Sequence, residues 1–274
     1  MSILEECPLA HPLLDVSTVD AAPREYLAGC GEIFTVFDRQ DSGNISFGVR
    51  IGGERFFVKT AGLVGAPTAV FTHAQRAELL RRAVELWRSC DHPALTKLLN
   101  TIESSEGLML VYAWANGELL SSKKPRFRAL PAAEIVDALN VIYALHAELA
   151  LQGWIAVDFY DSALIYDYDT KEIHVMDLDL YQPGPFRNEM GRMFGSGRFM
   201  APEEYERGAI IDERTTVFTM GRAAAVFLSD NSLNRAPFRG NDAMFAVIQR
   251  ACQPEREQRY QTLADFNAAW RAVV

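Results

Sequence analysis

The sequence predicts an α+β chain in two parts, a small antiparallel β-sheet lobe followed by a larger, mainly helical lobe. Three observations carry this expectation. Residues 32–62, EIFTVFDRQDSGNISFGVRIGGERFFVKTAG, run through aromatic and β-branched stretches broken by two hairpin signals, Asp41-Ser42-Gly43-Asn44 and Gly52-Gly53. From Pro131 to Gly153 the apolar residues instead recur at three-to-four spacing, the period of a helix packed on one face. The change of texture falls after Asn116-Gly117, so the chain divides into an N-terminal extension at 1–28, a sheet lobe at 29–113 and a helical lobe at 114–274. At 274 residues it is long enough to bury a large core.

Each element follows in turn. The two turns of residues 32–62 imply three antiparallel strands. Thr72 to Cys90 has helical spacing, with Thr72 as the N-cap and Asp91-His92-Pro93 as the stop. The segment TKLLNTIESSEGLMLVYAW reads as a fourth and a fifth strand around Ser104-Ser105-Glu106-Gly107, and Tyr112 to Gly117 is a candidate hinge. After the 131–153 helix, ALIYDYDTKEIHVMDLD forms two short strands around a turn at Asp167 to Lys171. Beyond it TVFTMGRAAAVFL reads as a buried helix, and LADFNAAWRAVV closes the chain.

Composition narrows the function. A net charge of −9 argues against a nucleic-acid surface, although Lys123, Lys124, Arg126 and Arg128 leave a local basic patch. Cys7, Cys30, Cys90 and Cys252 lack the close pairing of a zinc or thiol redox site and read as reduced thiols. The start, MSILEECPLAHPLL, is acidic where a signal peptide would be basic, and no apolar run reaches membrane-spanning length. A cytoplasmic protein without membrane contact is expected.

Val157 to Tyr181, VDFYDSALIYDYDTKEIHVMDLDLY, holds six aspartates among apolar and aromatic residues. Asp167 and Asp169 flank a turn, where Asp bonds its own backbone. Strand alternation places the Asp177 and Asp179 carboxylates on one face, a geometry suited to Mg²⁺, with Asp158 and Asp161 nearby. A haloacid-dehalogenase-like phosphatase also uses a D-x-D, but it needs a later lysine, and no lysine follows Lys171.

The order of motifs resembles the protein kinases, and the resemblance runs along nearly the whole chain. FFVKTAG resembles the third strand of that family, with Lys59 at the lysine that meets the α and β phosphates of ATP. LVYAWANGE resembles the hinge, with Val111 at the gatekeeper place, Tyr112 and Trp114 along the nucleotide and Glu118 at the ribose contact. VDFYDSALIYD resembles the catalytic loop, with Asp158 as base, and MDLDLY stands where D-F-G would, with Asp177 on the metal. GSGRFMAPEEY resembles the G-T-x-x-Y-x-A-P-E block in register, and PEREQRYQTLADF the late helix, with Arg259 placed to pair with Glu203. The glycine-rich loop is shortened to DRQDSGNISFGV, with Gly43 and Gly48 its only glycines. The resemblance implies a bilobal protein kinase-like fold, ATP and Mg²⁺ as cofactors, and Ser/Thr hydroxyls of a protein as acceptors.

Several family positions carry other residues. Ala156 replaces the His of H-R-D, Ala163 the second-metal Asn, Asp179 the Gly of D-F-G, and Thr216 the Asp that braces the catalytic loop. Asp161 or Asp179 is therefore the expected substitute metal ligand. Glu78 and Glu85 both compete to pair with Lys59, with Glu78 preferred. Between Asp179 and Gly195 no Ser or Thr occurs, so activation by phosphorylating such a residue there is not expected. Two readings stay open: a divergent serine/threonine protein kinase, and a pseudokinase that binds nucleotide or a protein partner without transfer. A small-molecule kinase of related fold is set back by the A-P-E block.

Overall fold

The structure is a computed structural model and describes residues 10–65 and 70–274, apart from the Lys123 side chain. Cys7 and the first nine residues of the expected extension lie outside the described residues. The chain forms two compact units, one comprising the chain up to Glu85 with Thr96–Trp114, the other Leu86–Leu95 with Ala115–Val274. It is a mixed α/β protein, compatible with a bilobal kinase-like fold.

The first unit contains α1 (Pro23–Cys30), β1 (Glu32–Phe37), β2 (Ile45–Ile51), β3 (Glu54–Thr60), most of α2 (His73–Ser89), β4 (Leu98–Ser104) and β5 (Gly107–Ala113). The strands form one antiparallel sheet in the order β1-β2-β3-β5-β4. Gly52 and Gly53 join β2 to β3 with φ of +56° and +91°, the two positive values that a tight two-residue hairpin demands. Thr72 caps α2 as expected: its hydroxyl accepts from the Gln75 N–H, and the Gln75 side chain accepts from the Thr72 N–H.

The extension is part of this unit. Leu13 and Leu27, both fully buried, pack with Phe47, Val49, Phe56, Val58, Ile102, Met109 and Val111 over one face of the sheet. Burial of a leucine is worth about 2 kcal/mol. The backbone is tied down as well, since Glu103 exchanges hydrogen bonds with Ser17 and Val19, and the Asn100 amide donates to the carbonyls of Leu13 and Val16.

The second unit contains β6 (Glu118–Leu119), α3 (Leu120–Arg128), α4 (Ala132–Leu151), β7 (Trp154–Ile155), β8 (Leu164–Tyr166), β9 (Ile173–Val175), β10 (Gln182–Pro183), β11 (Phe186–Arg187), β12 (Ile210–Ile211), α5 (Glu213–Leu228), α6 (Asp242–Ala251) and α7 (Leu263–Arg271). Helix α4 buries Ile135, Ala138, Leu139, Ile142, Leu145 and Leu149, the stripe its spacing anticipates. The apolar α5 is enclosed along almost all of its length. Polar ends fix the packing: Tyr143 donates its hydroxyl to the Met220 carbonyl, and the Trp270 indole donates to Asn140. Strands β8 and β9 form the expected hairpin, and Asp167 accepts from the N–H groups of Asp169 and Thr170 in its turn. Cys30, Cys90 and Cys252 are free. Among the described residues no helix is long and apolar enough to cross a membrane.

Candidate functional site

In the first unit, Lys59 is a buried cation in a strand otherwise made of apolar and polar neutral neighbours near its end. Residues directly opposite each other in an antiparallel pair point to the same face. Lys59 faces Ser46 on β2 and Leu110 on β5, so it shares its side with Gly48, Phe57 and Tyr112, two residues along each strand. Phe57 and Tyr112 pack ring to ring at 6.2 Å. Phe34 fills the space above Gly48, where a Cβ would meet its ring at 2.7 Å, and Trp114 packs edge-on against Phe34 at 4.9 Å. Lys59 thus stands on a sheet face lined with aromatic rings.

Val111 is on the other face. Val111, expected at the gatekeeper place, faces Val58 and packs into the cluster of Leu13 and Leu27. The pairing register puts Leu110 and Tyr112 on the Lys59 side instead. Gly43 has φ of +81° in the β1–β2 turn, and its carbonyl oxygen comes so near Gly62 that a Cβ there would sit 2.1 Å away. Glu78 and Glu85 are both exposed on α2. Arg76, rather than either glutamate, is the buried charge of that helix: it donates to the carbonyls of Ala61, Leu63 and Phe71 and fastens the β3–α2 connection.

In the second unit, Asp158 and Asp177 both adopt left-handed backbone, with φ of +63° and +61°. Such angles are rare for residues other than glycine and cluster at functional positions. Tyr160 stands between Asp158 and Asp161 in the chain. Burial raises its hydroxyl pKa, a bond with Ser162 lowers it, and the negative charges of Asp158, Asp177 and Asp161 raise it further. Gly195 backs onto Asp158, since a Cβ on Gly195 would lie 3.8 Å from the Asp158 Cα.

Two expectations about the aspartates change. Strand β9 ends at Val175, and the left-handed turn of the chain at Asp177 ends the alternation on which a shared face depends. Asp177 is accordingly exposed and Asp179 buried. Asp161 is also not poised for a metal. Its two oxygens receive Arg198 in a fork at 2.7 and 2.9 Å, and Lys124 adds a third contact at 3.1 Å. Burial alone would raise the Asp161 pKa, but the bonds from Arg198 and Lys124 outweigh it and hold the carboxyl below its ordinary value. Among the described residues no group of three or more His, Cys, Asp or Glu side chains is placed to hold a metal. An exposed Asp177 still suits Mg²⁺, which binds through one or two carboxylates and completes its shell with water and phosphate oxygens.

The loop that carries Asp158 is braced by neutral groups. Ala156 donates its N–H to the Thr216 hydroxyl at 3.1 Å, so the threonine at the place of the missing aspartate still accepts a hydrogen bond from the loop. Behind the loop, buried His146 contacts the Ile142 carbonyl through Nδ1 and the Tyr181 hydroxyl through Nε2, each at 2.7 Å. Burial drives its pKa down to about 4, so the ring is neutral, donates from Nδ1 and accepts from Tyr181.

The A-P-E block is anchored as its register suggests. Arg259 donates to both oxygens of Glu203 at 2.7 and 2.9 Å, and Thr215 adds its hydroxyl at 2.8 Å. The remaining N–H groups of Arg259 reach the carbonyls of Gln253, Arg214 and Pro254. Neighbouring Glu204 is buried too, and burial raises its carboxyl pKa to about 8. Glu118, expected at a ribose, accepts from Arg126 at 2.6 Å. Tyr160, Arg198 and Lys124 are the contributors that motif reading passed over. Only α3, rich in basic residues, hinted at one of them.

These features describe a chain with a buried strand lysine and a loop of acids braced against a downstream glycine block. Among curated proteins, the chain is similar to serine/threonine-protein kinase 1 of African swine fever virus, at 26% identity over 178 residues, which cover 63% of this chain and 58% of that protein. The chain thus spans less than two thirds of the length of the relative it matches. No family model matches it. The similarity supports a protein kinase-like relationship.

Proposed function

We propose that the chain transfers the γ-phosphoryl group of ATP to Ser or Thr hydroxyls of a protein. The observation that carries this reading is the left-handed backbone adopted by both Asp158 and Asp177, with Gly195 of the A-P-E segment against the Asp158 backbone. Phosphoryl transfer needs little covalent chemistry from the protein, so positioning and charge neutralisation supply most of the catalysis. Lys59 offsets charge on the α and β phosphates. The aromatic face around it, with Tyr112 and Trp114, takes the base. Asp177 would hold Mg²⁺, which supplies positive charge to the phosphates when bound. Asp158 orients the acceptor hydroxyl and takes its proton. The free cysteines fit a reducing, cytoplasmic setting.

A second reading is a nucleotide-binding scaffold without transfer. It is favoured by the engagement of Asp161 with Arg198 and Lys124 and by Ala163 at the place of a metal-binding amide. Calorimetric titration with ATP, with and without Mg²⁺, tests the common part of both. Binding should be present in the wild type, weakened in Lys59→Met and indifferent to Mg²⁺ in Asp177→Asn. Absence of ATP binding to the wild type contradicts both readings.

A further inference from the structure

The basic patch on α3 borders a cavity of about 410 Å³ in the second unit, lined by Lys124, Arg128 and Arg239 with Ser229 and Asp230. Lys124 and Arg128 are four residues apart on the helix and so share a face. Arg128 donates to the Ser229 carbonyl at the end of α5, and Arg239 donates to the carbonyls of Arg128 and Leu130. Carbonyl acceptors orient a guanidinium without cancelling its charge, and each of these arginines retains further N–H donors. Neither has a carboxylate partner among the described residues. Asp230, the acid of the lining, spends one oxygen on the Ser232 N–H and the Ser229 hydroxyl.

Lys124 links the cavity to the candidate site. Its partner Asp161 follows Asp158 by three residues and is shared with Arg198. The cavity is lined by three cations, Lys124, Arg128 and Arg239, and one carboxylate, Asp230, in a chain whose net charge is −9. The excess of positive charge is therefore local, and it adjoins the segment that carries the proposed base.

We propose that this cavity receives an anionic side chain, a carboxylate or a phosphoryl group, of the peptide whose hydroxyl is presented to Asp158. The inference rests on the phosphoryl-transfer reading for the peptide's role, while the anion preference rests on the cavity alone. Planar guanidinium groups match both anions through paired donors. The volume falls within the range of small-ligand pockets, enough for such a group.

The test is fluorescence anisotropy of the full chain with three short labelled peptides around one serine, flanked by glutamates, by a phosphoserine or by lysines. The anionic peptides should bind on the order of tenfold or more tighter than the lysine peptide, with a preference that shrinks as salt rises. The tighter of the two identifies the anion. Arg128→Gln should reduce the preference, and so should Ala129→Glu, which puts a negative charge at the rim while keeping every hydrogen bond of the arginines. Equal affinity for all three peptides, or a preference that survives in both variants, overturns the proposal. An intact preference in a chain that never transfers phosphoryl overturns the kinase reading and leaves the cavity standing. Transfer without any anion preference does the reverse.

Discussion

Replacement of Arg259 by methionine removes the most completely satisfied cation of the second unit. Arg259 is fully buried, and its five N–H groups reach both oxygens of Glu203 and three backbone carbonyls. Methionine fills part of the volume but leaves a buried carboxylate with only the Thr215 hydroxyl and three carbonyls without their donor. Breaking a buried ion pair from one side costs about 3–5 kcal/mol, because an uncompensated charge stays behind. For a domain of this size each kcal/mol lowers Tm by roughly 2–4 °C, so the midpoint should fall by about 10 °C. The assay is thermal unfolding for the midpoint and urea unfolding for the free energy, both followed by tryptophan fluorescence with buried Trp270 as reporter. Glu203→Leu combined with Arg259→Met removes both charges and should cost less than the two single changes added together, by about 2 kcal/mol or more. A single-variant loss under about 1 kcal/mol, the range of an exposed pair, refutes the reasoning, as does strict additivity.

Two further outcomes follow from the bracing of the Asp158 loop. His146 has a folded pKa of about 4 against 6.5 when unfolded, so the unfolded chain binds more protons between those values. Its share of stability, roughly 3 kcal/mol, is present above pH 6.5 and is lost as pH falls toward 4; urea midpoints should show this slope in the wild type and less of it in His146→Gln. Equal slopes in both chains contradict the assignment. Thr216→Val keeps the shape but orphans the buried Ala156 N–H, which should cost about 1–3 kcal/mol, whereas Thr216→Ser should recover most of it. An unchanged urea midpoint in the valine variant rules out the brace.

Much of the architecture was legible because local rules and the tertiary structure agree. The Gly52-Gly53 hairpin, the Thr72 cap, the Asp167 turn and the α4 stripe each follow from one or two residues and a period. The extension was harder to read, because Leu13 and Leu27 earn their place only against strands far along the chain. The face of Val111 was not legible for a related reason: a motif aligns positions, while the face a side chain occupies depends on the pairing of β3 with β5. The Asp177 and Asp179 pattern misled because one left-handed residue ends the period of two. Glu203 and Arg259 could be matched through motif order alone. Asp161 could not, since its partners Arg198 and Lys124 are separated from it by 37 residues each and no local rule brings them together.

Incubation with γ-labelled ATP, Mg²⁺ and a protein acceptor, read by labelling and intact mass, tests the central claim most directly. Wild type is expected to add phosphoryl groups to the acceptor or to itself, and Asp158→Asn to add none while still binding ATP. Equal labelling by wild type and Asp158→Asn, or ATP binding by the wild type with no transfer to any acceptor, would contradict the assignment of Asp158 as the group that presents the hydroxyl.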